Sequence, residues 1–278
     1  MEVSFSMPRL FQFEGLCIEY ACTSENADLE SIVCLHGFGR SLYDFELFFP
    51  LLAPHQRLVG IHIIGHHNST MHQLEPLSAG DWSRCMGAFL DHLNIGKAHL
   101  LAYSMGARLA MMMGAHLPDR LHSLLLLAPD GLKKNALYMF ASKTVVGRWL
   151  SNYIVHRPKW LFNTADVLKA LRLLSPKLHR FVYVHMDTLE KRKQVHDVWL
   201  VHRELFPHLP SLHSTLLHHH VSIHMVFGEY DEVIPLRLGK KCERLWNHYG
   251  CVHSLPCGHR LLRAELLVLL RERQLWPH

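Results

Sequence analysis

The 278-residue chain is poor in charge: Asp, Glu, Lys and Arg make up 19%, against 49% hydrophobic residues. That balance excludes a disordered chain, which needs high charge and low hydrophobicity. CxxC pairs and closely spaced cysteine frameworks are absent, and the seven cysteines are odd in number. A chain this long builds a core without disulfide staples. Reduced thiols in a cytoplasmic protein are therefore expected. Long apolar runs are also missing. The most apolar stretch, His99 to Leu117, is broken by Ser104, Gly106 and Arg108, whereas a membrane-spanning helix needs about 20 mostly apolar residues. The first twenty residues carry Glu2, Arg9 and Glu14 and lack the basic and apolar regions of a signal peptide. A soluble protein with no integral membrane segment is the expectation.

Other absences narrow the function. HExxH does not occur, and no Cys/His cluster has structural-zinc spacing, so no functional metal is expected. Helix-turn-helix, RNA-recognition and zinc-finger signatures are missing, which argues against nucleic acid as a partner. There is no internal repeat and no low-complexity linker. Nothing in the sequence fixes an oligomeric state.

Histidine, by contrast, is abundant: 25 residues, all counted as neutral in the formal charge of +5. With an unperturbed pKa near 6.5, they would add positive charge in mild acid. His66, His67, His72 and the run His218–His220 offer places for adventitious metal.

Two textures divide the chain. Short apolar, β-branched runs at Leu16–Ala21, Ser31–Leu35, Arg57–Ile64, Ala98–Tyr103 and His122–Ala128 read as strands. Helical pieces at Asp44–Leu52, Asp81–Leu93 and Met105–His116 lie among them. In Asp81–Leu93, Trp82, Met86, Phe89, Leu90 and Leu93 fall on one helical face; Asp81 is either its cap or in its first turn. Strand–helix alternation with nearly all-apolar strands predicts a parallel sheet covered on both faces. From Lys133 to His220 strand signals nearly vanish. The helical pieces there are Leu137–Leu150, Thr164–Leu174, Pro176–Met186 and Thr188–Leu205. Alternation then returns, with strands Val221–Phe227 and Cys251–Leu255 and helices Leu236–Asn247 and Leu261–Leu270. The predicted organisation is an α/β domain of residues 1–132 and 221–278 interrupted by a helical insertion, 133–220.

Chemistry concentrates where strands end. In Leu100-Leu101-Ala102-Tyr103-Ser104-Met105-Gly106-Ala107, an apolar strand runs into a serine with small neighbours and a helix follows at once. That is the mechanical requirement of a nucleophile elbow, a tight turn that lifts the hydroxyl above the sheet edge. The competing reading of Ser104 is an ordinary helix cap. Gly258-His259, between a strand and a helix near the C-terminus, supplies a base. Its acid partner comes from Asp231, Glu229, Glu232 or Asp130, each after a predicted strand. The loop Leu35-His36-Gly37-Phe38-Gly39-Arg40 can turn a backbone N–H towards the serine. Acyl transfer needs two such donors, here Phe38 and Met105. His36, Gly37 and Gly106 are read as supports of these loops.

These motifs together, HGFG, AYSMG, GEYDEVIP and GHRLL in this order, resemble the α/β-hydrolases with a helical cap, the superfamily of esterases and C–C hydrolases. The resemblance covers almost the full length. It implies an α/β-hydrolase fold: an eight-stranded, mostly parallel sheet flanked by helices, with an α-helical cap inserted after strand 6. It selects Asp231 as the acid of a triad Ser104, Asp231, His259, and it implies neither metal nor organic cofactor. A serine nucleophile sets the chain apart from family members that use a carboxylate there, haloalkane dehalogenases and epoxide hydrolases. One stretch departs from the family pattern: where D-x-P-G-H-G-x-S is frequent, this chain has His62-Ile63-Ile64-Gly65-His66-His67-Asn68-Ser69.

The expected function is hydrolysis of a carboxylic ester or thioester by a serine hydrolase. Alternatives are cleavage of a C–C bond, or of an anionic biosynthetic intermediate, by the same triad, and a ligand-binding member of the fold without catalysis. The helical insertion carries 14 Lys and Arg against 5 Asp and Glu. That points to a solvated surface, to an anionic acyl substrate, or to a membrane if Val145, Trp149, Leu150, Trp160, Leu161 and Phe162 share a face.

Overall fold

The computed structural model describes residues 3–172, 176–247 and 250–276. Strands β1 (Arg9–Phe13) and β2 (Leu16–Cys22) form an antiparallel hairpin. Its two-residue turn, Glu14-Gly15, has both φ angles positive, 44° and 81°, as the tightest hairpin turns require. β3 (Glu30–Leu35), β4 (Gln56–Ile61), the two-residue β5 (Thr70–Met71), β6 (Ala98–Tyr103), β7 (Leu121–Leu127), β8 (Ser222–Gly228) and β9 (Val252–Leu255) complete one sheet. Its order is β1-β2-β4-β3-β6-β7-β8-β9, with β5 paired to β2. From β4 to β9 every pairing is parallel; β2 joins β4 antiparallel. The main path thus has the eight strands expected, and β5 is an added ninth.

β4 and β6 are buried along their whole length, because helices cover both faces. α1 (Ala79–His92) and α2 (Met105–His116) pack together, and the buried Trp82 donates its indole N–H to the Leu109 carbonyl at 3.2 Å. Ser78, not Asp81, caps α1: its hydroxyl accepts from the Asp81 N–H at 3.0 Å, and Asp81 completes the capping box from the first turn. On the other face, Ile32, Cys34, Leu101, Leu125, Leu127 and Val226 alternate along their strands to meet Phe45, Phe48, Leu266 and Trp276. The segment expected as a helix at Asp44–Leu52 is a 3-10 helix, Leu42–Leu51, with Pro50 in its last turn.

After β7, among the described residues, come α3 (Ala136–Lys143), α4 (Val145–His156), α5 (Pro158–Ala170), α6 (Pro176–His185) and α7 (Leu189–Val201). One more correction arises here. The single helix expected over Leu137–Leu150 is two, because Thr144 is extended (ψ 149°) and its hydroxyl caps α4 by accepting from Gly147 N–H at 2.9 Å. Positions 173 and 174, the end of the expected helix Thr164–Leu174, lie outside the described residues. α8 (Leu209–His218) has Pro210 in its first turn, where proline is tolerated. α9 (Leu236–Trp246) and α10 (Ala264–Glu272) follow.

The chain divides into two compact units: Met1–His72, Ser78–Lys133 and Leu205–His278 form the first, Gln73–Leu77 and Lys134–Glu204 the second. α8 packs on α2 in the first unit, so the helical unit ends at Glu204 rather than at the expected 220.

Candidate active site

Ser104 stands between the last residue of β6 and the first of α2. Its backbone has φ 51° and ψ −115°, and its side chain makes no capping hydrogen bond. The cap reading of this serine is therefore set aside. A non-glycine residue held at positive φ stores on the order of 1–3 kcal/mol, and such strain collects at functional sites. The turn is over-determined: Ser104 N–H donates to Leu127 carbonyl at 2.8 Å, and its carbonyl accepts from Ala107 and Asp130 N–H at 3.0 and 3.1 Å. Gly106 makes it possible. A Cβ there would lie 2.2 Å from the Leu35 carbonyl oxygen, so any side chain would push α2 off β3.

The hydroxyl meets the predicted base. Ser104 Oγ lies 3.2 Å from His259 Nε2, and His259 Nδ1 lies 2.7 Å from Asp231 Oδ2. The Asp231 side chain is fully buried, whereas that of His259 is partly exposed. The aspartate divides its work: Oδ1 accepts from Val233 and Ile234 N–H at 2.8 and 2.9 Å, leaving Oδ2 for the imidazole. With Nδ1–H held by Asp231, Nε2 is the acceptor face presented to the serine. The loops bearing Asp231 and His259 touch at Gly228, where a Cβ would fall 2.2 Å from the Gly258 carbonyl oxygen. The rival carboxylates are engaged elsewhere. Asp130 Oδ1 accepts from Gly131 N–H and Oδ2 lies 3.5 Å from the buried Arg108 guanidinium, while the exposed Glu229 accepts from Ser254 Oγ. Glu232 is exposed.

Two supports escaped the sequence reading. Tyr103 donates its hydroxyl to the His259 carbonyl at 2.8 Å, fixing the loop of the base. Burial pushes that phenol up to about 12, so it remains a donor. His66 holds the glycine-rich loop: its Nε2 accepts from Gly39 N–H at 2.9 Å. His36 is placed similarly, accepting from Ile63 N–H on Nε2 and donating from Nδ1 to Gly37 carbonyl. Both rings serve as acceptors only while neutral. Burial, reinforced by neighbouring histidines, holds His36 well below the usual imidazole range, and burial lowers His66 to about 4. Gly37 brings this loop against Tyr103 and Ser104. Acyl transfer would call on a nucleophile, a base with its orienter and two N–H donors; the geometry sets Ser104, His259 and Asp231 in one hydrogen-bonded row, with Met105 at the N-terminus of α2.

The model of the α/β hydrolase fold matches residues 30–262. The chain belongs to the α/β hydrolase family. Among relatives of known name, it is 36% identical over 104 residues to the dihydrolipoyllysine-residue acetyltransferase component of the acetoin cleaving system of Pseudomonas putida, covering 36% of this chain but only 27% of that protein. It is 26% identical over 266 residues to the monoacylglycerol lipase ABHD6 of Bos taurus, covering 86% of this chain and 74% of the relative. A hydrolase from Pseudomonas aeruginosa PA01 has the same fold, with a TM-score of 0.65, 17% identity and coverage of 96% and 97% of the two chains.

Within this α/β hydrolase the departing stretch forms its own network. His62 Nδ1 lies 2.7 Å from the buried Glu19, Asn68 donates to the same carboxylate at 2.6 Å, and His62 Nε2 faces Ser41 Oγ at 3.0 Å. Burial alone would raise Glu19; hydrogen bonds from Asn68 and His62 outweigh it and hold the carboxyl below its ordinary value. Glu19, His62 and His67 bring one ligand atom each to within 4.8 Å of one another. The His62 and His67 rings, however, stack at 3.8 Å and 11°. Their in-plane lone pairs run side by side, and a metal would require His67 to unstack.

Proposed function

We propose that the protein is a serine hydrolase acting on a carboxylic ester or thioester through an acyl-enzyme. The observation that carries this reading is the relay from a strained Ser104 through His259 to the buried Asp231. Ser104 Oγ attacks the acyl carbon and its proton passes to His259 Nε2, while Asp231 holds the imidazolium that forms. The N–H groups of Phe38 and Met105 receive the oxyanion. The leaving alcohol or thiol takes the proton from His259. Water then attacks the acyl-enzyme, gives a proton to His259 in turn, and releases the carboxylic acid with Ser104 restored. The monoacylglycerol lipase among the relatives favours the ester class. In the same proposal the helical unit that ends at Glu204 corresponds to the family's helical cap.

A fluorophosphonate probe tests it, because only an activated serine reacts. Wild-type protein is expected to label and Ser104→Ala to stay unlabelled. Unlabelled wild type would leave a ligand-binding role without catalysis, and equal labelling of both would mean that the probe reacts at a residue other than Ser104.

A further inference from the structure

The helical unit has a small core of its own, in which Leu161, Ala165 and Val182 are buried against Ile154, Phe162 and Met186. A second apolar set points away from it. On α4, Val145, Val146, Trp149 and Tyr153 recur at helical spacing along one stripe, 74%, 64%, 66% and 39% exposed. Gly147 and Val155, on the opposite side, are buried. Trp160 of α5 extends the stripe: its ring meets Tyr153 edge-on at 6.0 Å, and Tyr153 stacks on Trp149 at 5.8 Å. α4 is thus amphipathic with its larger apolar residues turned outward. Exposed contiguous apolar groups of this kind mark an interaction surface.

The charge around the stripe says what kind. Residues 131–165 hold six Lys and Arg and no Asp or Glu. Arg157 lies over the Tyr153 ring at 5.9 Å, and the exposed Lys159 precedes Trp160. The helical unit as a whole carries 13 Lys and Arg against 6 Asp and Glu. An apolar stripe ending in Trp and Tyr, with Arg157 and Lys159 at that end, matches the chemistry of a lipid interface: rings at headgroup depth, ammonium and guanidinium groups against phosphates. A second copy fits worse. A symmetric contact would bring two such segments together with no acid in either to pair with.

We propose that this face of α4 and α5 docks the protein on an anionic membrane surface. The inference goes beyond the hydrolytic reading and does not depend on it, since docking needs neither Ser104 nor its relay. The test therefore uses the full chain with Ser104→Ala, so that failure of docking and failure of catalysis are read separately. The protein is sedimented with vesicles of phosphatidylcholine alone and of phosphatidylcholine with phosphatidylglycerol, at low and high salt. Binding is expected to the phosphatidylglycerol vesicles, weakened on the order of tenfold or more by neutral lipid or by salt. Adding Trp149→Ala with Trp160→Ala, or separately Val145→Glu, should weaken it about tenfold or more while circular dichroism stays unchanged. The proposal is overturned by absent binding to phosphatidylglycerol vesicles, or by binding that both patch variants leave intact. It is equally overturned by a dimer in solution that these variants dissolve while vesicles recruit nothing, which would make the stripe an interface between copies.

Discussion

The two units of the chain depart from the usual placement of residues in opposite directions. In the α/β unit, histidines go inside: His36, His62 and His66 are buried, and all three are held below the ordinary imidazole range by that burial. There they act as neutral hydrogen-bonding groups that shape the loop beside Ser104. In the helical unit, aromatic and branched residues such as Val145, Val146 and Trp149 go outside, and Trp149 is largely exposed where Trp82 in α1 is buried. The lesson is that residue type alone does not assign a role. A histidine is a structural acceptor where the interior excludes its proton. A tryptophan is a contact group where no core is left for it to join.

The largest expected effect is within the α/β unit and concerns which carboxylate orients the base. Asp231→Asn should lower kcat/KM by about 10³–10⁴-fold, because an amide at that place favours the wrong imidazole tautomer. Asp130→Asn should cost less than about tenfold, since that carboxylate faces Arg108 and Gly131 N–H rather than His259. Steady-state hydrolysis of an activated ester by the purified variants decides it. A larger loss in Asp130→Asn than in Asp231→Asn would reassign the acid.

Next in size is the acid sensitivity of the buried histidines. Gly39 N–H needs an unprotonated His66 Nε2. The ring protonates near 4 in the folded protein and near 6.5 when unfolded. The unfolded chain therefore binds more protons between these values. The stability contributed by the neutral ring is complete above about pH 6.5 and is lost as pH falls towards 4, by on the order of 3 kcal/mol at full protonation. Chemical unfolding across that range should show the slope, and His66→Asn, whose amide oxygen can still accept from Gly39, should flatten it. An unchanged slope in that variant would place the acid sensitivity elsewhere.

Much of this was legible in the sequence, for physical reasons that differ by element. The elbow, the GEYDEVIP loop and the GHRLL loop each carry their requirement locally: a strand, a tight turn and small residues within a few positions. The sheet was legible because β4 and β6 are buried on both faces and read as apolar runs. What escaped depends on distant partners. Tyr103 reaches a carbonyl 156 positions away, and the Glu19–His62 pair spans 43; no periodicity encodes such contacts. β1 escaped because five residues paired by a positive-φ turn give too short a pattern. The break at Thr144 escaped because apolar spacing continues through it. Val145, Trp149 and Trp160 were legible as candidates for a shared apolar face, but its outward direction was not, for a deeper reason: a hydrophobic period says that one face is apolar, not which way that face is turned.

That last point yields the smallest and most discriminating effect. If Trp149 belongs to a contact surface, then removing it from the free protein should cost little, because its ring already faces water and its main partner is the stacked Tyr153. Trp149→Ala should therefore destabilise by about 0.5–1 kcal/mol, the scale of one aromatic pair. Trp82→Ala, which opens a cavity between α1 and α2 and strips the Leu109 carbonyl of its donor, should cost about 3–5 kcal/mol. Urea unfolding of the two variants side by side measures the ratio. Equal losses would mean that Trp149 is held as tightly as a core residue in solution, and the contrast between inward histidines and outward tryptophans would fail at its second half. A small loss for Trp149 together with weakened vesicle binding would instead separate stability from recognition at a single side chain.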